Sequence, residues 1–299
     1  MLPRSSKISF RSSLKTLAAV ATVYSIFSVF PPSRPSPSYA FGSAPSSTRS
    51  PGEKPWSLDT PLVMAHRGGP GPGFPENCIE TFNHSSQAGA LLVEFDVRTT
   101  KDGHFVIIHD DSIARTTNGK GRVSDLPLSF LKTVHLKDPS GEVTAFKIPT
   151  LAEGLSWARN TGVVALDLKG PIDPASLVTE IHRSGAIPYS IIIAPSLQVA
   201  EQYYALSPQV LLSVPIENEK DLARILASSL NRSQIIAYVG QKEPLHSLYS
   251  TLRSLGMPAL LNTVGTLDQR AQEDGADFYR NLVHRGAAII STDFPVRVR

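Results

Sequence analysis

The sequence predicts an α/β fold, a single-domain TIM-type (β/α)8 barrel, and three observations lead to this prediction. From residue 61 onward, short apolar runs alternate with longer amphipathic segments, which is the repeating strand–helix order of α/β proteins. Runs such as VVALDL, SIIIA and AAIIS are almost continuously apolar, as in strands buried on both faces of a parallel sheet. Reactive side chains follow several of these runs, where barrel enzymes carry their chemistry.

Nine apolar runs are strand candidates, one more than an eight-stranded barrel needs. We expect the run at 235–239 to be the surplus one. The candidates are residues 62–65, 91–97, 105–109, 163–168, 189–194, 210–214, 235–239, 258–261 and 287–291.

Seven amphipathic segments are predicted to be helices. The helix at 174–184 shows the clearest boundaries, with Asp173 as the N-cap, Pro174 in the first helical position and Gly185 at the end. Residues 110–150 show little periodicity and are expected to form a long excursion between strands. The predicted helices are 77–89, 151–160, 174–184, 197–206, 219–229, 244–255 and 267–285.

The first sixty residues are not expected to belong to the barrel domain, which we place at 61–299. Residues 1–40 have a basic start, an apolar stretch and small residues ending at Ala40, the layout of a signal peptide for export. An uncleaved membrane anchor and an organelle transit peptide are the alternatives. Residues 41–60 are rich in Pro, Ser and Gly and are predicted to be a flexible linker.

The composition excludes several kinds of partner and site. Net charge is +3 with 41% hydrophobic residues, and no basic stripe with interleaved aromatics is present, so nucleic acid is not expected to bind. The single cysteine, Cys78, allows no internal disulfide and leaves no zinc-ligand spacing. The composition does not predict the oligomeric state.

Polar side chains recur where the first four predicted strands end. His66 and Arg67 follow the first strand, and Glu94 and Asp96 stand two apart on the second, so they share one face. His109 and Asp110 follow the third strand, Asp167 and Lys169 close the fourth, and Ser291, Thr292 and Asp293 close the last. Taken singly, such residues are often turn residues or ion pairs, but four consecutive strands with this pattern indicate a site.

The residue types permit one specific chemistry. Glu94, Asp96 and Asp167 offer hard oxygen ligands to Ca²⁺ or Mg²⁺. Arg67 and Lys169 can neutralise a bound phosphate. The two histidines, His66 and His109, titrate near neutral pH and can act as general acid and base. Together these groups predict metal-assisted cleavage of a phosphodiester.

The same residues resemble a known family, the glycerophosphodiester phosphodiesterases. The resembling blocks are AHRGG…PEN, VEFDVRTTKDGHFVIIHDDSIARTTNGKG, IPTLAEGL and IISTDFP. The resemblance implies a barrel with one divalent metal that hydrolyses glycerophosphodiesters, such as glycerophosphocholine or glycerophosphoethanolamine, to sn-glycerol 3-phosphate and an alcohol. It implies that His66 and His109 form the acid–base pair, that Arg67 contacts phosphate, and that Glu94 and Asp96 bind metal.

Some positions depart from the family pattern. Asp167 replaces a glutamate of the family's E-x-K motif while Lys169 keeps its place, Cys78 replaces a threonine, and LNTVG lacks a tryptophan. Two alternatives therefore stay open. One is a phosphodiesterase acting on lysophospholipids or sphingolipids at the same site. The other is a non-catalytic barrel that binds anionic head groups outside the cytoplasm.

Overall fold

The computed structural model describes residues 61–275 and 277–298. The predicted leader at 1–40 and linker at 41–60 lie outside the described residues. Within the described part, no helix combines the length and the apolar character needed to cross a bilayer.

Eight strands close into a parallel barrel, which confirms the predicted fold class. β1 (Leu62–Ala65) pairs with β2 (Leu92–Thr99) on one side and with β9 (Ile289–Thr292) on the other. The sheet thus closes on itself, because its first strand joins its last. The wall between β2 and β9 consists of β4 (Val163–Leu168), β5 (Ser190–Ile193), β6 (Leu211–Pro215), β7 (Ile235–Tyr238) and β8 (Ala259–Asn262).

The surplus strand is not the predicted one. The run at 235–239 forms β7, which pairs in parallel with β6 and β8. Instead, β3 (Phe105–Ile107) lies outside the barrel and pairs antiparallel with the end of β2. The turn between them needs Gly103, whose φ of +80° lies in the left-handed region. A hairpin with so tight a turn cannot supply the crossover that a parallel barrel strand requires.

Nine helices accompany these strands in the described residues, and most match the predicted segments. Asp173 caps its helix as expected, because its carboxylate accepts the backbone N–H of Ser176 at 2.8 Å. The predicted helix at 267–285 is wrong as a single element: it forms two helices, and the first ends at Gly275, where φ is +79°. The helices are α1 (Ile79–Gln87), α2 (Leu128–Leu131), α3 (Leu151–Thr161), α4 (Pro174–Arg183), α5 (Leu197–Leu206), α6 (Glu219–Leu226), α7 (His246–Ser254), α8 (Thr266–Asp274) and α9 (Asp277–Arg285).

Apolar side chains pack on both sides of the barrel wall. Inside, residues such as Met64 and Leu92 fill the barrel, as alternation along buried strands predicts. Outside, Phe82 of α1 stacks on Phe95 of β2 with ring centroids 4.5 Å apart, and Trp157 of α3 covers both. This packing holds α1 and α3 against the strand that carries the acidic pair.

The excursion at 110–150 packs with residues of β3 and its end in a separate apolar cluster. Its members pack together with Cys78, which is fully buried. They are Val106, Ile108, Ile113, Val123, Leu131, Val134, Leu136 and Ile148. The segment is therefore a small folded layer beside β3, and it fixes the position of the residues that follow that strand.

Candidate active site

Three carboxylates meet at the carboxyl end of the barrel. Glu94 and Asp96 lie on β2, and Asp167 of β4 stands directly beside Asp96 in the parallel register. One oxygen from each residue lies within 4.8 Å of the other two. Because Glu94 and Asp96 are buried, water screens the repulsion among these groups poorly.

The pKa of Glu94 reflects its burial among these acids. Burial raises the pKa of Glu94 well above its ordinary value, and Asp96 and Asp167 raise it further, while His66 opposes them. Lys169 relieves part of the repulsion, since its Nζ donates to Asp167 Oδ2 at 2.6 Å and lies 3.3 Å from Asp96 Oδ1. Burial alone would lower the pKa of Lys169, but Asp96 and Asp167 raise it, so the amine remains cationic.

The donor set fits a hard divalent cation. Asp96 Oδ1 is buried and accepts no hydrogen bond from any residue that the structure describes, although the charged amine of Lys169 lies nearby. Carboxylate oxygens are the ligands that Ca²⁺ and Mg²⁺ prefer. A divalent charge among them would favour the ionised carboxylates and so oppose the burial and the repulsion that raise the pKa of Glu94. Glu94, Asp96 and Asp167 are therefore the residues that could hold the ion.

His66 follows β1 and is paired with Asp293, which follows β9. Its Nδ1 lies 2.7 Å from Asp293 Oδ1. A carboxylate only accepts, so Nδ1 carries the proton and Nε2, 3.9 Å from Glu94 Oε1, is left for the site. Burial alone would lower the pKa of His66, but the hydrogen bond to Asp293 and the charge of Glu94 outweigh it and raise the pKa.

A buried acid of α8 holds the strand end that carries Asp293. The carboxylate of Asp268 accepts the Thr292 hydroxyl at 2.9 Å and the backbone N–H of Asp293 at 3.1 Å. The hydroxyl of Tyr279 donates to the same carboxylate at 2.9 Å. Asp268 thereby fixes the turn from which Asp293 reaches His66.

The HRGG turn after β1 adopts an unusual backbone. Arg67 has φ of +50°, and a Cβ at the following Gly68 would lie 2.6 Å from the ring of Phe82, so only glycine fits there. Asn77, with φ of +57°, donates its N–H to the carbonyl of Arg67 at 2.9 Å and its side-chain amide to Asp96 Oδ2 at 2.6 Å. Asn77 thus ties the turn to the acidic pair, and Arg67 Nε lies 3.6 Å from Asp96 Oδ2.

His109 lies outside the barrel wall and is connected to the site through Asp110. The sequence analysis placed it at the end of a barrel strand, but it follows β3, the antiparallel strand. Its carbonyl accepts from Arg98 Nε at 2.7 Å, and its Nδ1 lies 2.6 Å from Asp110 Oδ1. His109 and His66 therefore have the same hydrogen-bonding arrangement, in which a carboxylate binds Nδ1 of the imidazole.

Arg115, on the excursion, connects two further carboxylates. It donates to both oxygens of Glu76 at 2.8 Å and to both oxygens of Asp110 at 2.5 and 3.0 Å. The hydrogen bond from Arg115 is the main reason why the pKa of Asp110 lies well below its ordinary value. Burial alone would raise the pKa of Glu76, but Arg115 and Arg67 bring it below its ordinary value.

A cavity of about 260 Å³ opens beside the acidic cluster at the barrel mouth. Glu94 and Asp167 line it, and most of its other lining residues are apolar, with Ile193, Pro195 and Leu260 among them. The hydroxyls of two buried cavity residues, Ser213 and Ser291, have no partner among the residues described. The cavity can therefore take a small organic group next to the carboxylates.

The structure brings most of the predicted residues into direct contact. Glu94, Asp96, Asp167 and Lys169 form the core, and His66 and Arg67 each contact one of its acids. His109 joins through Asp110, Arg115 and Glu76. The sequence analysis gave no role to Asp268, Asp293 or Arg115. The sequence analysis did place Asp293 at a strand end, but its hydrogen-bond partner, His66, lies 227 residues away in the chain.

Fold and site together define a parallel barrel whose carboxyl-end rim carries three clustered carboxylates, two cations and two carboxylate-bound histidines. The model of the glycerophosphoryl diester phosphodiesterase family matches residues 66–288, well over half of the chain. The chain belongs to this family.

Individual relatives agree with that assignment. A glycerophosphodiester phosphodiesterase of Caldanaerobacter subterraneus subsp. tengcongensis is 46% identical over 93 residues, which are 31% of this chain and 38% of the relative. The chain thus spans less than half the length of that relative. A crystal structure of a glycerophosphoryl diester phosphodiesterase from Parabacteroides distasonis has a TM-score of 0.73 at 32% identity, covering 80% of this chain and 84% of that one.

A more distant structure shares the fold alone. An Oleispira antarctica phosphodiesterase, determined in complex with the product sn-glycerol-3-phosphate, has a TM-score of 0.65 at 22% identity. The match covers 80% of this chain and 95% of that one.

Proposed function

We propose that the chain is a metal-dependent glycerophosphodiester phosphodiesterase, which hydrolyses substrates such as glycerophosphocholine and glycerophosphoethanolamine to sn-glycerol 3-phosphate and an alcohol. The observation that carries the proposal is the cluster of Glu94, Asp96 and Asp167 beside Lys169 and a carboxylate-bound His66. Membership of the family and the product bound by the Oleispira antarctica enzyme support a small-molecule phosphodiester as substrate.

The two histidines move the protons in this proposal. One imidazole takes the proton of the attacking hydroxyl, and the other gives a proton to the departing alkoxide. Attack by the glycerol 2-hydroxyl forms a cyclic phosphate, which water then opens. Since Nδ1 of His66 and of His109 is bound to a carboxylate, Nε2 is the atom that exchanges the proton in each.

Arg67 and Lys169 bind the phosphoryl oxygens and stabilise the charge that develops on them. Arg67 Nε is buried and finds no hydrogen-bond partner in the described part of the chain, which supports a role toward a ligand. When bound by Glu94, Asp96 and Asp167, Ca²⁺ or Mg²⁺ supplies Lewis-acid stabilisation and acidifies a hydroxyl or a water. Asp167 is one methylene shorter than the family's glutamate, so its reach toward the ion is shorter.

A second substrate class has support from the cavity. The apolar lining residues, among them Ile193, Pro195 and Leu260, suit an acyl chain or another apolar group better than a hydrated one. A lysophospholipid, or a sphingolipid, cleaved at the same site is therefore the alternative.

Phosphorus NMR of reaction mixtures distinguishes these proposals. The purified chain is incubated with glycerophosphocholine or lysophosphatidylcholine, each with Ca²⁺, Mg²⁺ or chelator. Formation of sn-glycerol 3-phosphate from the first substrate supports the main proposal. Lysophosphatidic acid or a cyclic phosphate from the second supports the alternative. Unchanged spectra with both substrates and both metals would refute the enzymatic proposal. The remaining interpretation would be the non-catalytic barrel that binds anionic head groups.

We also propose that residues 1–40 direct export to the periplasm, cell surface or extracellular space. The support is the basic, apolar and small-residue order of that segment. Retention as a membrane anchor and organelle targeting remain the alternatives. N-terminal sequencing of the protein isolated from its own cells tests this: a first residue after Ala40 supports cleavage, and an intact leader refutes it.

A further inference from the structure

Arg115 lies outside the barrel, yet its guanidinium is the junction between two parts of the candidate site. Four hydrogen bonds engage it: two to Glu76 and two to Asp110. A guanidinium has five N–H groups, so only one is left for another partner. Although the side chain is half-exposed, its one free N–H group cannot form a bidentate pair of hydrogen bonds with a phosphate in this arrangement.

Each of the two carboxylates also contacts a residue with a proposed role. Asp110 binds Nδ1 of His109 at 2.6 Å. Glu76 lies 3.4 to 3.5 Å from Arg67 Nη1, a longer contact than its two bonds of 2.8 Å with Arg115. Arg115 therefore takes the stronger bonds of Glu76 and leaves Arg67 only weakly paired.

We propose that Arg115 is a positioning residue that keeps Arg67 available for the phosphate and holds the His109 imidazole in place, by binding Glu76 and Asp110 in one fork. The inference rests on the proposed function. Without Arg115, Arg67 is the arginine that remains in contact with Glu76 and pairs with it fully, so that the carboxylate competes with the phosphate. Asp110 loses its orienting partner at the same time, and the His109 ring loses its fixed direction.

This arrangement predicts two kinetic effects. Pairing of Arg67 with Glu76 weakens binding of the phosphate and stabilisation of its developing charge, which raises KM and lowers kcat, whereas a misdirected His109 lowers kcat alone. For Arg115→Gln we expect kcat/KM to fall about 10- to 100-fold, the scale of a small misplacement of a catalytic group. Arg115→Lys keeps the charge but cannot span two carboxylates bidentately, so it should restore only part of the loss. Arg183→Gln, which removes an exposed arginine paired with Glu180 on α4, is the matched control and should change neither constant.

The decisive variant is the double substitution Glu76→Gln with Arg115→Gln. A neutral amide at position 76 no longer neutralises Arg67, so KM should return toward the wild-type value while kcat recovers only in part, because the His109 imidazole stays misdirected. A KM that stays raised in the double variant overturns the inference, because Arg115 would then contact substrate directly. Wild-type constants for Arg115→Gln overturn it as well. Thermal unfolding of each variant separates these results from loss of the fold.

Two measurements without turnover keep this inference distinct from the proposed function. Calorimetric titration with sn-glycerol 3-phosphate should show weaker binding in Arg115→Gln and recovery in the double variant. Imidazole ¹⁵N NMR should show His109 with a protonated Nδ1 in the wild type and a mixture of tautomers in Arg115→Gln. An inactive wild-type chain that shows both effects would refute only the proposed reaction, and an active one that shows neither would refute only the role of Arg115.

Discussion

The bond between His66 and Asp293 supports a quantitative test of the acid–base proposal. Asp293 Oδ1 binds His66 Nδ1 at 2.7 Å, and no described residue donates to its second oxygen. An asparagine at position 293 can therefore turn its amide so that the oxygen still accepts the Nδ1 proton. An alanine removes the acceptor altogether. The two variants thus remove first the charge and then the whole hydrogen bond.

The size of each effect follows from the type of hydrogen bond. A bond to a charged group contributes about 1.5–3 kcal/mol and a neutral one about 0.5–1.5 kcal/mol. The side chain of Asp293 is 35% exposed, so the lower part of the charged range applies. At about 1.4 kcal/mol for each tenfold change in rate, Asp293→Ala should lower kcat about 10- to 30-fold and Asp293→Asn about fivefold.

The assay measures choline released from glycerophosphocholine at saturating substrate. Asp277→Asn, an exposed acid on α9 paired with Arg280, serves as control and should keep full turnover, and thermal unfolding should be similar in all variants. If Asp293→Asn is as slow as Asp293→Ala or slower, the amide holds the wrong tautomer and the reasoning is wrong. Full turnover in both variants would remove Asp293 from the mechanism.

Three further predictions follow from the same structure. His66→Ala and His109→Ala should each lower kcat about 100-fold or more with unchanged thermal unfolding, and near-normal turnover in either would exclude that residue as acid or base. Dialysis against a chelator should abolish activity until Ca²⁺ or Mg²⁺ is added back, and the ion at 100 times its Kd should stabilise the fold by about 2.7 kcal/mol; chelator-resistant turnover contradicts the metal role. Gly154→Ala places a Cβ 2.5 Å from Ile107 and 2.7 Å from Phe95, so urea unfolding should show a loss of about 1–3 kcal/mol, and an unchanged midpoint would show that both side chains yield freely.

Local periodicity explains why the acidic core of the site could be predicted from the sequence. Glu94 and Asp96 stand two apart on a strand, as do Asp167 and Lys169, and alternate strand residues share a face. That rule operates within each strand, so it holds before any tertiary contact is known. Apolar runs likewise located the barrel strands, since a parallel sheet buries both of its faces.

Other features depended on pairing between distant segments. The sequence does not distinguish β3 from a barrel strand, because a short apolar run is expected in both positions. The antiparallel pairing of β3 with the end of β2 places it outside the barrel. The partnership of His66 with Asp293 likewise arises when β9 closes against β1. The hydrogen bonds of Arg115 to Glu76 and Asp110 depend on the folding of the excursion around its apolar cluster.

The amino-acid order by itself determined the fold class, the face that each acidic pair shares and the chemical type of the site, because these depend on spacing along one strand and on residue type. Only the tertiary structure decided which carboxylate binds each imidazole and which two carboxylates Arg115 joins. Those contacts join residues such as Glu76 and Arg115, 39 positions apart, and no local periodicity specifies where two such segments meet.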